Sequence, residues 1–343
     1  MKQKHLFNDI LNIILDEREN RYTKLTTTVW ERKISIKIFR FFEEKYIEDI
    51  DEIVLNKFFS VVRYKDNGEL ISDKYMKSIT SLVKAVMKKS VLKGYITINP
   101  FDYDYKPPKG KLSDPTQRFI KQKDLKHLLN AVIHSENKRL ETIIPILLLT
   151  GMRIGELLAL YWSDVDFENK TITITKSVAF GYMKTPTGEI VQNGMEITTP
   201  KNQQSSREIP INDTVIFLLK RWYSYRKERP NWIKRIADNH NEKLIFPNYA
   251  GRIMNENTLY KELIDFLYKN NLENCSFVFH KLRHCYATHL LDAGVDIDVI
   301  SKILGHKSIV TTANVYVNVS MQPKKAALKM HDKYLKKNLP ELY

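Results

Sequence analysis

The chain has 343 residues, with 55 Lys plus Arg against 40 Asp plus Glu and a formal net charge of +15. Its length suggests two or three domains, and 43% hydrophobic with 11% aromatic residues excludes a disordered chain, because that much apolar surface offsets the entropy of ordering. So large a cationic excess points to a polyanionic partner, nucleic acid before an anionic membrane. No apolar run approaches the roughly 18–20 residues that span a bilayer, and the stretch Ile143–Leu149 is short and interrupted by Pro145. The first residues, Met1 to Phe7, lack the apolar core of a signal peptide. Cys275 and Cys285 are the only cysteines and form no C-x-x-C, which excludes a disulfide framework and makes a reducing cytoplasm the expected compartment.

In chain order, the first hundred residues read as helices. Leu6, Ile10, Leu11, Ile14 and Leu15 fall at helical spacing, and Trp30, Ile34, Ile38, Phe41 and Phe42 form a second stripe. Ile53–Val62 is a third apolar stretch. Asp73–Leu92 is a fourth helix with Met76, Ile79, Leu82, Val83 and Val86 inside. Lys84, Lys88, Lys89 and Lys93 lie on one broad side of it, either as a solvated face or as phosphate contacts. Between Asn99 and Thr116, four prolines and Gly110 favour an extended connection. The domain boundaries expected are therefore 1–98, a linker over 99–117, a second domain over 118–318 and a tail over 319–343.

The second domain opens with helices over Lys121–His134 and Arg139–Leu149. Thr171–Thr175 alternates isoleucine with threonine, the period-two signature of a strand. A Gly/Pro/Asn-rich excursion follows, and Phe180–Gly194 reads as an insertion. Met195–Thr199 and Arg207–Ile211 then read as a hairpin around the polar loop 200–206. From Thr214 the pattern is helical again, apart from Leu244–Pro247. The fold class expected is mainly α with a small antiparallel β-sheet.

There is no G-x-x-x-x-G-K-[ST] phosphate loop and no G-x-G-x-x-G after a strand. His280 and His284 are spaced to share one helix face, and Cys275, Cys285 and His289 are near. However, Lys281 and Arg283 beside them oppose a dication, and the acid of a hydrolytic zinc helix is missing. The same segment, His280-Lys-Leu-Arg283-His284, suits a phosphate better. Arg283 offers a planar fork for two phosphate oxygens, and His280 lies one turn away. Arg153, in Thr150-Gly-Met-Arg153-Ile-Gly-Glu156, precedes an apolar helix on which Leu157, Leu160 and Tyr161 form the buried stripe. Taken alone, Arg153 is better explained as an i, i+3 partner of Glu156.

The order of these elements resembles the tyrosine recombinase (phage integrase) family. The pattern is T-G-x-R-x-x-E-L-x-x-L-x-W-x-D, a hairpin lysine, H-x-L-R-H, L-G-H and a tyrosine ten residues later. Here these elements are Arg153, Lys201, His280, Arg283, His306 and Tyr316. Lys184 competes for the lysine position, but Lys201 is directly followed by the strand Arg207–Ile211. Tyr316 follows Ser308, placed to cap a short helix carrying the phenol.

The resemblance implies an N-terminal helical core-binding domain and a C-terminal α+β catalytic domain. It implies strand cleavage by Tyr316, giving a 3′-phosphotyrosine and a free 5′-hydroxyl, then religation to another strand. Arg153, Arg283 and His306 hold the phosphate in this scheme. His280 is the base, Lys201 the acid, and Glu156 positions neighbouring cations. No cofactor, metal or ATP is implied.

The partners implied are double-stranded DNA and three further copies of the chain. A homotetramer would form on DNA from a monomer or weak dimer, aided by accessory directionality or DNA-bending proteins, with no membrane involved. The tail packs either on its own domain or on a neighbour's. Integration and excision of a mobile element is the role expected. Xer-type chromosome dimer resolution and a catalytically silent DNA-binding regulator are the alternatives. The helical pattern begins by Leu6, so no separate arm-binding domain is expected ahead of it, and the protein is expected in the cytoplasm with the nucleoid.

Overall fold

The computed structural model describes residues 4–21, 25–102, 105–112, 120–184, 190–199, 206–275, 277–306, 308–309 and 313, without the side chains of 19–29 and 180–193. The chain divides into two compact units, Met1–Asp114 with Phe180–Asn193, and Pro115–Ala179 with Gly194–Tyr343. The first is built from helices α1 (Phe7–Arg21), α2 (Leu25–Phe41), α3 (Glu52–Val62) and α4 (Asp73–Leu92). Their apolar stripes meet in one core that includes Phe7, Leu11, Ile34, Ile38, Phe42, Leu55, Phe58, Ile79, Val83 and Val86. Each such side chain contributes roughly 1.5–3 kcal/mol by leaving water. Phe7 stacks on Phe42 with ring centroids 3.9 Å apart, which seats α1 on the end of α2. Trp30 departs from the expected stripe. It is 41% exposed and meets Tyr75 edge to face.

Two helix starts in this unit are capped by side chains. Asp51 accepts from the Val54 N–H at 2.8 Å and Ser72 from the Tyr75 N–H at 3.2 Å. The proline-bearing segment beyond α4 returns to that second start. Lys111 N–H donates to Ile71 O, and Asp73 N–H donates to Lys111 O. Gly110 makes this approach possible, since a Cβ there would lie 2.6 Å from the Asp73 nitrogen. The stretch Lys109–Lys111 is thus knitted to the first unit.

In the second unit, helices α5 (Gln122–Ile133) and α6 (Lys138–Thr150) come first, followed by the single-turn α7 (Ile154–Leu158). Helix α6 is enclosed by neighbours on nearly every face, with Ile143, Ile144, Ile146 and Leu147 at most 1% exposed. The stripe expected after Arg153 is interrupted, because α7 stops at Leu158 and Tyr161 is only half-buried. In chain order, strands β1 (Val165–Asp166), β2 (Thr171–Ile174), β3 (Ser177–Lys184), β4 (Ile190–Thr198) and β5 (Arg207–Pro210) follow, residues 180–193 of β3 and β4 being grouped with the first unit. Helices α8 (Asp213–Lys227), α9 (Pro230–Asp238), α10 (Glu256–Lys269), α11 (Phe279–Asp292) and α12 (Ile297–Leu304) come after the strands. The fold is mainly helical with small antiparallel sheets.

The strand pairing differs from the expected hairpin. Strand β5 pairs antiparallel with β2, with Ile172 opposite Ile209 and Ile174 opposite Arg207, in a three-stranded sheet of order β1-β2-β5. Strand β4 pairs instead with β3 in a separate two-stranded sheet. The physical reason is burial. Ile172, Ile174 and Ile209 alternate onto one face and are at most 1% exposed, which pins the β2–β5 register. Within the segment read as an irregular excursion, residues 181–184 belong to β3 and 190–194 to β4.

Candidate active site

Of the six residues expected to act directly, Arg153, His280, Arg283 and His306 are described, and they gather in the second unit. The start of α11 supplies His280 and Arg283. Arg283 is 2% exposed, and its fork reaches across two elements, donating to Gly151 O at 2.9 Å and to Leu304 O. Those carbonyls end α6 and α12, so the arginine ties three helices at one point. Gly151 has φ +64, and a Cβ there would sit 2.3 Å from the Tyr286 ring, so both backbone and space demand glycine. Directly before it, the buried Thr150 hydroxyl donates to Ile146 O at 2.7 Å. The T-G of the motif is the stop of α6.

Arg153 sits immediately before α7. Its backbone N–H donates to Glu156 Oε2 at 2.9 Å and its guanidinium to Glu156 Oε1 at 2.7 Å. Its side chain remains 40% exposed, and among the described residues the guanidinium bonds only to Glu156. Arg153 therefore pairs with Glu156 and still presents charge to solvent.

Glu156 is held from the other side by Arg207, which sequence reasoning placed only as the start of a strand. Arg207 Nη1 and Nη2 donate to the two Glu156 oxygens at 3.2 and 2.8 Å, and Nε donates to Ile303 O at 2.6 Å. Burial pushes the Glu156 carboxyl up. The Arg207 bonds and charge, joined by Arg153, overcome this and hold it down at about 2.

His306 follows the left-handed Gly305 that closes α12, and its N–H donates to Ser301 O at 3.0 Å. Burial, with Arg283, Arg153, Arg207 and His280 nearby, pushes its imidazole down to about 4. His280 is lowered for the same reasons: burial first, then Arg283 and Arg153. Its ring meets that of His284 edge to face, centroids 4.7 Å apart. At pH 7 the cluster therefore combines permanently charged guanidinium groups with neutral imidazoles. An anion placed there would meet fixed donors, and a neutral imidazole can accept a proton.

Lys201, Tyr316 and the tail over 319–343 lie outside the described residues. Among the described residues, no group of three His, Cys, Asp or Glu converges as a metal site would require, and Cys285 is buried in the core. No described helix is long and apolar enough to cross a membrane.

The lysines singled out on α4 divide. Lys84, Lys88 and Lys93 are exposed, whereas Lys89 is half-buried and ion-paired with Glu17 of α1. The solvent stripe of α4 instead runs Lys74, Lys77, Ser81, Lys84, Lys88, at spacings of three and four. Lys74 and Lys77 are missing from the sequence expectation because they precede the dense lysine run. At 1.5 Å per residue the stripe extends for about 21 Å.

Residues 118–323 match the phage integrase family. A XerC-like tyrosine recombinase of Caldanaerobacter subterraneus subsp. tengcongensis is 28% identical over 265 residues, covering 75% of this chain and 65% of that protein. The ICEBs1 integrase of Bacillus subtilis is 26% identical over 246 residues, covering 72% of this chain and 62% of that protein. The chain thus spans slightly less than two thirds of the length of these curated relatives. Among solved structures, the Tn1549 transposon integrase in complex with transposon right end DNA superposes with a TM-score of 0.67 at 20% identity. That match covers 94% of this chain and 98% of the other, and the likeness is one of fold. With the family match extending over more than half of its residues, including Arg153, His280, Arg283 and His306, the chain belongs to the phage integrase family.

Proposed function

We propose that this protein is a site-specific DNA recombinase that integrates and excises a mobile element through a covalent tyrosine intermediate. The observation that carries the reading is the assembly of Arg153, Arg283, His280 and His306 at one place, with Arg283 buried and held by two helix-end carbonyls. In the reaction the Tyr316 hydroxyl attacks a backbone phosphorus and the bond to the 5′-oxygen breaks. The two guanidinium groups, with His306, stabilise the charge that grows on the non-bridging oxygens. His280, neutral at pH 7, takes the phenol proton, because a tyrosine with pKa near 10 is otherwise a poor nucleophile. Lys201 delivers a proton to the departing 5′-oxygen, and the 5′-hydroxyl of another strand reverses the sequence.

Every charge in this scheme comes from side chains, and the phosphotyrosine conserves the energy of the broken bond. The reaction is accordingly proposed to need neither metal nor ATP. Four copies on two duplexes complete the exchange, with the tail over 319–343 docking on a neighbour and accessory proteins setting direction. The basic stripe of α4 supplies phosphate contacts for the first unit. Domain limits of 1–98 for DNA binding and 118–318 for catalysis fit this division of labour.

The test is covalent capture. The protein is incubated with DNA of its host and element in EDTA, denatured, and the attached DNA sequenced. Attachment to the ends of one element supports the reading. Attachment at a single chromosomal site would favour dimer resolution, and no attachment at all would favour a silent DNA-binding regulator. Tyr316→Phe should abolish capture; persistence of the adduct would assign the nucleophile elsewhere.

A further inference from the structure

Arg207 is a buried cation for which the proposed reaction has no direct use. It stands at the first position of β5, opposite Ile174, with its side chain 6% exposed. From there its guanidinium donates into the site, to both oxygens of Glu156 and to the carbonyl of Ile303. Glu156 in turn holds Arg153 by backbone and side chain. Ile303 belongs to the last turn of α12, two residues before Gly305 and three before His306. One planar fork therefore connects the support of Arg153 with the support of His306.

Gly305 shows that the connection is built in. Its φ of +66 favours glycine, and a Cβ there would lie 3.0–3.3 Å from the Cδ, Nη1 and Nε atoms of Arg207. The Leu304-Gly305-His306 turn is shaped around this guanidinium. Arg207 also lies six residues after Lys201 in the chain, so it anchors the strand into which that loop runs.

Resting on the recombinase reading of the site, we propose that Arg207 is a positioning residue. It does not touch the scissile phosphate but sets the distance between Arg153 and His306, so that both address the same phosphate at once. Two features of the geometry lead to this role. A single side chain of β5 bonds to both α7 and α12, the elements that flank Arg153 and His306. Glu156, with two cations sharing its oxygens, stays a carboxylate and transmits the constraint. Loss of the fork would leave Arg153 and His306 present but out of register, and a misplacement on the order of 1 Å costs up to about 100-fold in rate.

The experiment uses the full chain and a nicked duplex carrying the site mapped by covalent capture, at temperatures well below each variant's melting point. DNA affinity and the single-turnover rate of adduct formation are measured separately for Arg207→Gln, Arg207→Lys and Glu156→Gln, and for Arg207→Gln combined with Glu156→Gln. The result expected is a fall in rate of about 10- to 100-fold for Arg207→Gln with affinity within about twofold. Arg207→Lys keeps the charge but lacks the fork, and should remain at least about fivefold slow. The double variant should be no slower than the slower single, because both break one connection. Equal losses of affinity and rate, full activity of Arg207→Lys, or additive effects in the double variant would each overturn the assignment. If the unaltered protein forms no adduct, the recombinase reading itself falls, and the role of Arg207 with it.

Discussion

Single side chains in this site owe their state to charges brought together from distant parts of the chain. Arg283 is the case with the clearest consequence. It commits two donors to the carbonyls of Gly151 and Leu304, so its position is set by helix ends and not by side-chain choice. A lysine there cannot reproduce a planar fork, and Arg283→Lys should slow covalent adduct formation by about 100-fold or more in single-turnover assays, as loss of one fixed donor to a developing oxyanion does elsewhere. The imidazoles carry a second expectation. Followed by NMR, the His306 ring should stay neutral until the pH approaches about 4, and His280 should titrate below the ordinary histidine range. Orthovanadate bound in the cluster should raise both values, since an added anion favours the protonated form. A ring that titrates near 6.5 with and without vanadate would contradict this electrostatic picture. Arg153, His280, Arg283 and His306 were legible in the sequence because each sits in a short string of fixed spacing. Arg207 was not, because nothing local distinguishes a buried arginine at a strand start from an exposed one.

Elements tell a similar story. Helix spacing located α1 through α6 closely, since a 3.6-residue period is written in the chain itself. Strand partners are written nowhere locally. The residues 195–199 and 207–211 both look like strands, yet β5 crosses to β2 because Ile172, Ile174 and Ile209 must share one buried face. The lysine face of α4 shows the same limit, as Lys89 meets Glu17 from 72 residues away. Its exposed stripe leads to a quantitative expectation. Replacing Lys74, Lys84 and Lys88 together by alanine should reduce the slope of log K against log salt by up to about 3 for duplex binding, close to one for each phosphate no longer neutralised. Lys89→Ala should leave that slope nearly unchanged. At the end of α6, Gly151→Ala would force a Cβ into the Tyr286 ring as well as a left-handed backbone. We expect it to cost more than about 1 kcal/mol in denaturant unfolding of the second unit.

On the scale of the whole molecule, charge and pH act together. Met1–Gly110 carries a net charge of about +5 and the remainder about +10, so both units are drawn to a polyanion. Stability should depend on pH in a definite direction. His306 stays neutral in the folded chain down to about 4, while the unfolded chain takes up that proton near 6.5. Glu156 stays ionised down to about 2, against an ordinary value of 4.5. Both shifts make the unfolded state bind more protons as the pH falls. The contribution is therefore complete above about 6.5 and is lost through the window from 6.5 to 2, first from the histidine and then from the carboxylate. Melting temperatures that are flat between about pH 7 and pH 4 would show that these two groups do not govern acid stability.

The burial of α6 has a consequence for how such a protein can change. The carbonyl that closes it also holds Arg283, so the hydrophobic centre and the candidate site share a peptide unit. Substitutions at Ile143, Ile146 or Leu147 that let the helix shift slightly would reach the arginine without passing through any polar group. In a genetic selection that starts from a weakened Arg283 or Gly151 variant, second-site suppressors should accumulate along this helix and in the α11 residues packed on it. Lineages would then retune the proposed strand exchange by repacking oil, leaving every side chain of the candidate site in place.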